Sequence, residues 1–201
     1  MPRDQRTGWE HDAVNTGPAI LVEGISDRIA VLALAGRRGV DLAAAGVEVI
    51  PIGGAQAIAR ALARYCPAGD DVRLAGLCDA PEETLFQRAL ERAGLGKDLD
   101  RAGMEALGFF VCEDNLEEEL IRAVGSAGVV ELLERNGDLA SFRTFQKQPQ
   151  WRGRSTEDQL KRYMHSADRR NSRYPPLLIQ AVDLDNVPRP LDRVLEHATR
   201  A

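Results

Sequence analysis

Four acidic positions carry the chemistry this sequence offers most directly: Glu23, Asp27, Asp79 and Glu117. Glu23 and Asp27 stand four residues apart in Ile20-Leu-Val-Glu-Gly-Ile-Ser-Asp27, where a short apolar run stops on a carboxylate and a glycine. Asp79 closes Val72-Arg-Leu-Ala-Gly-Leu-Cys78, and Glu117 lies in the acidic stretch Glu113-Asp-Asn-Leu-Glu-Glu-Glu119 that follows Gly108-Phe-Phe-Val-Cys112. Carboxylates brought together repel, so a cluster of them needs a bound cation or raised pKa values. Oxygen donors favour hard ions, magnesium or manganese, and magnesium held by few carboxylates keeps positions open for water and phosphate. Two such ions roughly 3.5–4 Å apart orient an attacking water and stabilise the leaving oxygen of a phosphodiester. Each acid also has a purely structural reading. Glu23 can pair with a basic side chain at a strand end, Asp27 can face a helix N-terminus, and Asp79 can cap the helix entered at Pro81. At least two of Glu117, Glu118 and Glu119 are expected on a solvated helical face.

The acids converge only if the elements between them form a parallel sheet. Ala19 to Val22, Val47 to Ile52, Val72 to Cys78 and Gly108 to Cys112 read as four strands. Helical patterns alternate with them: Ser26, as N-cap, to about Ala35, then Gln56 to Tyr65, and Glu82 to Ala93 behind Pro81. Such alternation predicts an α/β fold, a Rossmann-like parallel sheet flanked by helices, with every carboxyl end on one edge. Beyond about Val124 the strand signals stop. Val129 to Arg135, Leu139 to Lys147, Thr156 to Met164, Pro175 to Val182 and a last helix from Pro188 to about Thr199 predict a helical C-terminal extension. The organisation expected is a tail over 1–16, a catalytic-type domain over 17–125 and a helical, basic extension over 126–201.

With 201 residues, 44% of them hydrophobic and 28% charged, the chain has enough apolar material for a packed core. No apolar run approaches the roughly 20 residues of a membrane span, and the first residues lack a secretory apolar region, so a cytoplasmic location is expected. Cys66, Cys78 and Cys112 are odd in number and lack paired spacing, so Cys78 and Cys112 read as small apolar residues at strand ends.

The net charge of −5 conceals a split: residues 1–142 hold 14 Lys/Arg against 24 Asp/Glu, residues 143–201 hold 12 against 7. The second part concentrates Lys147, Arg152, Arg154, Lys161, Arg162, Arg169, Arg170 and Arg173 among Trp151, Tyr163 and Tyr174. Cations interleaved with aromatics suit a phosphate backbone and its bases. The alternative is a helical cover whose aromatics pack on the sheet. His165 is either a proton shuttle or a surface histidine.

Leu21-Val-Glu-Gly-Ile-Ser-Asp27, Leu77-Cys-Asp-Ala80 and Asn115-Leu-Glu-Glu-Glu-Leu120 together resemble the three motif blocks of a Toprim domain, most closely that of the overcoming-lysogenization-defect (OLD) nucleases. The resemblance covers about Pro18 to Gly125 and, more loosely, the remainder. It implies a magnesium- or manganese-dependent site for breaking phosphodiester bonds, with Glu23 as metal ligand or general acid/base and Asp79 as the first aspartate of an Asp-x-Asp motif. Asp27 and Glu117 match OLD-type acids. Pro81 holds the position of the second aspartate, which leaves Glu82 or Glu83 as replacement ligands and a second metal open. A basic residue near the C-terminal end is also implied, with Arg173 or Lys147 as its candidate; Lys147, Arg170 and Arg173 are the candidate phosphate contacts. OLD nucleases carry an ATPase domain in the same chain; Gly53-Gly-Ala-Gln56 lacks the lysine of a nucleotide-binding loop, so the expectation is either a separate ATPase as partner or action alone. The function so implied is hydrolysis of nucleic acid, DNA before RNA, with water as nucleophile. Two alternatives stay open: a non-catalytic module that binds nucleic acid or an ATPase, and a nucleotidyl transferase or small-molecule phosphohydrolase.

Overall fold

The computed structural model describes residues 17–66, 73–166 and 168–200, with the side chains of 168–171 excepted. The expected tail over 1–16 and Val72 lie outside the described residues. Four strands, β1 (Ala19–Val22), β2 (Glu48–Pro51), β3 (Leu74–Asp79) and β4 (Phe109–Cys112), pair in parallel in the order β2-β1-β3-β4. Ala19 sits opposite both Glu48 and Leu74, and Asp79 opposite Cys112. All four carboxyl ends therefore open on one edge, the place where ligands bind in open α/β sheets.

The helices are α1 (Ile25–Arg37), α2 (Ile58–Tyr65), α3 (Glu83–Arg92), α4 (Arg101–Ala106), α5 (Leu116–Arg135), α6 (Leu139–Gln146), α7 (Thr156–Met164), α8 (Asp168–Ala181) and α9 (Arg189–Thr199). Strand β1 is apolar throughout because both of its faces are covered. Ile20 and Val22 join one core cluster with Leu34 of α1, Leu120 of α5, Leu178 of α8 and Leu195 of α9. Ala19 and Leu21 join the other, with Ile58 and Leu62 of α2, Phe86 of α3 and Met104 of α4. The two-residue period of the strand thus divides one hydrophobic run between two layers of helices. Cys78 and Cys112 are buried within these clusters as small apolar residues. Among the described residues no helix is long and apolar enough to cross a membrane.

Several local expectations are corrected. The N-cap of α1 is Gly24, with extended backbone, and Ser26 lies inside the helix. Asp27, at the third helical position, supplies the cap interaction by accepting from the Gly24 N–H at 2.8 Å. The helix expected at Val129 is the second half of α5, which starts at Leu116 and kinks at Gly125, where φ is 78° and ψ 150°. Those angles are open essentially to glycine alone. Pro175 and Pro176 lie within α8 and do not begin it; each forgoes a main-chain hydrogen bond there, while Tyr174, Leu178 and Ile179 pack into the core on either side. Helix α4, capped by the Asp100 side chain on the Gly103 N–H, escapes periodicity because six residues span less than two turns.

Candidate metal and phosphate site

Glu23 ties three strand ends together. Its carbonyl accepts from the N–H groups of Gly53 and Gly54, at 3.2 and 2.9 Å, which holds the loop after β2 against the end of β1. Its Oε1 accepts from the Asp79 N–H at 3.1 Å, and the Ala55 N–H reaches the same carboxylate. The loop can approach this closely because Gly54 adopts φ +100°, a conformation a side chain would oppose.

Asp27 faces the same crevice from the first turn of α1. Burial, then the neighbouring charges of Glu117 and Glu23, raise its pKa to about 7. Asp79 is the last residue of β3. Burial raises its pKa to about 8, with repulsion from Glu23, Asp27, Glu117 and Glu82 adding to the shift. Glu23 is raised as well, first by burial, although the Asp79 N–H opposes that rise. Glu117 comes from the first turn of α5, which is set by Asn115: the Asn115 side chain accepts from the Glu118 N–H at 2.9 Å. Acids separated by as many as 90 positions, Asp27 and Glu117, therefore act on one another electrostatically.

Among the described residues no lysine or arginine pairs with Glu23, Asp27 or Asp79. The strand-end ion pair conceivable for Glu23 is thereby replaced by main-chain donors. Among the described residues no three His, Cys, Asp or Glu side chains stand at ligand spacing around one point. The donor set is nonetheless all carboxylate oxygen, half-buried and without a compensating cation, which is the chemistry a hard divalent ion fits.

The turn Ala80–Glu82 carries Pro81 exposed and places Glu82 close enough to raise both Asp79 and Glu23. Glu83 is committed elsewhere, since both of its oxygens accept from Arg101, at 3.2 and 2.5 Å. Of the two replacement ligands considered for the Pro81 position, only Glu82 faces the cluster.

The glutamates of α5 depart from expectation. Glu119 is 7% exposed and accepts from the Glu113 N–H at 2.6 Å. Glu118 pairs with Lys161 of α7 at 3.1 Å. None of the three is a freely solvated face, because α7 packs over the start of α5.

The basic candidates separate. Arg173 is held by Asp138 at 3.1 Å and by the carbonyl of Asn136, a contact that anchors α8 to the end of α5. Lys147 is exposed at the end of α6, and the side chain of Arg170 lies outside the described residues. Tyr163 and Tyr174 are buried, Tyr163 edge-on to Phe142 and Tyr174 hydrogen-bonded to Asp138, so these two rings serve the helical cover and do not face a ligand. The basic side chains nearest the acids are on α7, where Lys161 pairs with Glu118 and Glu157. His165 Nε2 is 4.0 Å from Glu117, while its Nδ1 meets the Lys161 carbonyl at 2.8 Å, so the Nδ1 proton is donated to that carbonyl. An open groove of about 760 Å³ begins there, lined by Asn115, Glu118, Trp151, Arg154, Lys161 and Arg162 among others. The i,i+4 spacing of Lys161 and His165 marks one helical face, but which helix that face meets is not written in local sequence.

Residues 18–66, which include Glu23, Asp27 and the Gly53-Gly54 loop, match the family model described as overcoming lysogenization defect protein-like, TOPRIM domain. The chain is similar in structure to the C-terminal region of the OLD protein of Xanthomonas campestris pv. campestris, with a TM-score of 0.67 and 25% identity over 92% of this chain and 95% of that one. It has the fold of the C-terminal region of the Burkholderia pseudomallei OLD protein as well, at a TM-score of 0.65 and 21% identity over 92% and 97% of the two chains. No curated protein gives a significant match.

Proposed function

We propose, from the match of residues 18–66 to the OLD-like TOPRIM model and the likeness to OLD C-terminal regions, that this chain is a Toprim-type nuclease, dependent on magnesium or manganese, that hydrolyses phosphodiester bonds in nucleic acid, DNA first. The observation that carries this reading is the meeting of Glu23, Asp27, Asp79 and Glu117 at one sheet edge with no cation paired to the first three. Glu23, Asp27, Asp79 and Glu117 would hold the metal, with Glu82 at the rim. When bound, the ion supplies charge stabilisation on the phosphate oxygens and acidifies a water.

The chain's own residues account for the rest. Main-chain N–H groups from Asp79 and Ala55 fix the Glu23 carboxylate, so its orientation does not depend on the ligand. Asp27 and Asp79, raised toward neutrality, can each hold a proton until a cation displaces it. His165 puts a polar group beside Glu117, where negative charge on a phosphate would need support, and Lys161 stands one turn away, paired with Glu118 and Glu157. Action beside a separate ATPase in a cytoplasmic setting belongs to the same reading.

The test is cleavage of plasmid and linear DNA with magnesium or manganese, with Glu23→Gln alongside. Metal-dependent cutting that the variant loses is the expected result. Pro81 in the motif position supports a second reading, a module that binds nucleic acid or an ATPase without cutting. Retention of DNA with no cleavage in either metal would favour it. Turnover of nucleotides but not of polymers would instead point to a nucleotidyl transferase or small-molecule phosphohydrolase.

A further inference from the structure

Trp151 is held as a fixed platform on the wall of the groove that runs from His165 along α7. Phe145 stacks on it, centroids 5.3 Å apart and planes 24° from parallel. Its carbonyl accepts from Nε2 of the buried Gln159 at 2.8 Å, and Gln159 is in turn bonded to Gln146 at 2.6 Å. The indole is nevertheless only partly covered. It borders the 760 Å³ groove on one side and a second groove of about 540 Å³ on the other, and Arg162 lines both. Arg154 and Arg162 are exposed, and no carboxylate among the described residues pairs with either.

An aromatic face flanked by unpaired guanidinium groups matches a base and its phosphates. The base must be unpaired, because the faces of bases inside a duplex are already stacked on their neighbours. From Asp158 to His165 the groove follows α7 for about 10 Å, one or two nucleotide steps, and ends at His165, whose Nε2 is 4.0 Å from Glu117. We propose that this groove binds an unpaired nucleic-acid strand, with a base on Trp151 and its phosphates on Arg154 and Arg162. The nuclease would then act at or near single-stranded segments or ends. The proposal rests on the nuclease reading only for the position of the scissile bond.

Binding is measured in EDTA, so that cleavage does not enter. Fluorescein-labelled dT12, rU12 and a duplex of the same length are titrated by anisotropy against the full chain, Trp151→Leu, Trp151→Phe and Arg162→Gln. The expected result is tighter binding of dT12 or rU12 than of duplex, weakened about tenfold in Trp151→Leu and largely kept in Trp151→Phe. Arg162→Gln should weaken binding and lower its salt dependence. Equal affinity of Trp151→Leu and the parent for both single strands overturns the proposal, as does a preference for duplex. Should Trp151→Leu not fold, a Trp9→Phe background leaves Trp151 as the sole indole. Its emission should then be quenched on saturation with dT12 or rU12, and unchanged emission at saturation overturns the proposal. Failure of the nuclease reading is seen separately, as intact plasmid in magnesium and manganese.

Discussion

The side chain of Glu23 accepts the backbone N–H of Asp79 at 3.1 Å, so the end of β1 and the end of β3 are joined through the acid that the motif supplies. One carboxylate thereby combines two tasks. It closes the edge of the sheet and presents its remaining lone pairs to the crevice.

This sets the outcome for Glu23→Gln. The amide oxygen can still accept from Asp79, so the variant should melt within a few degrees of the parent, roughly the effect of 1 kcal/mol in a chain of this size. Cleavage should fall by at least about 100-fold, as when a charged group at the reacting centre is neutralised. Thermal melts and plasmid cleavage, run together, check both halves.

Stability of the metal-free protein should decline with rising pH. Asp27 and Asp79 have folded pKa values raised from 3.8 to about 7 and about 8. Between the unfolded value and those values the native state holds protons that the unfolded chain has released. Native stability is thus greatest below about pH 4 as far as these two groups are concerned, and is lost as pH rises through 7 to 8. Melting midpoints in EDTA from pH 5 to 8.5 should fall, and Asp79→Asn should flatten the slope.

Binding of magnesium should expel protons for the same reason. At pH 7 part of the Asp27 and Asp79 population is protonated, and a divalent ion requires the carboxylates. Calorimetry in two buffers of different ionisation enthalpy should give different apparent heats at pH 7 and converge above pH 9. Identical heats at pH 7 would contradict the cluster.

Glu119 should behave differently from its neighbours. It is buried and accepts from the Glu113 N–H at the entrance to α5. Glu119→Ala leaves that donor unsatisfied and should cost about 1–3 kcal/mol. Glu119→Gln, which can still accept, should cost less, and chemical denaturation distinguishes the two.

What the residue order alone determined is local. Short apolar runs alternating with helical patterns, three of them ending at or just before an acid, revealed the four strands and their parallel arrangement. The motif acids Glu23, Asp27, Asp79 and Glu117 were legible because a parallel sheet brings all its carboxyl ends to one edge. What tertiary structure decided is which polar groups are already taken. Arg173 is spent on Asp138, Glu83 on Arg101, Lys161 on Glu118 and Glu157, and Tyr163 and Tyr174 on the core, whereas His165 is turned toward Glu117 by the packing of α7 on α5. A basic, aromatic stretch has one composition whether its side chains face water or core. The contacts that choose between the two join residues more than 30 positions apart, such as Asp138 with Arg173 and Glu118 with Lys161, and no local pattern encodes them.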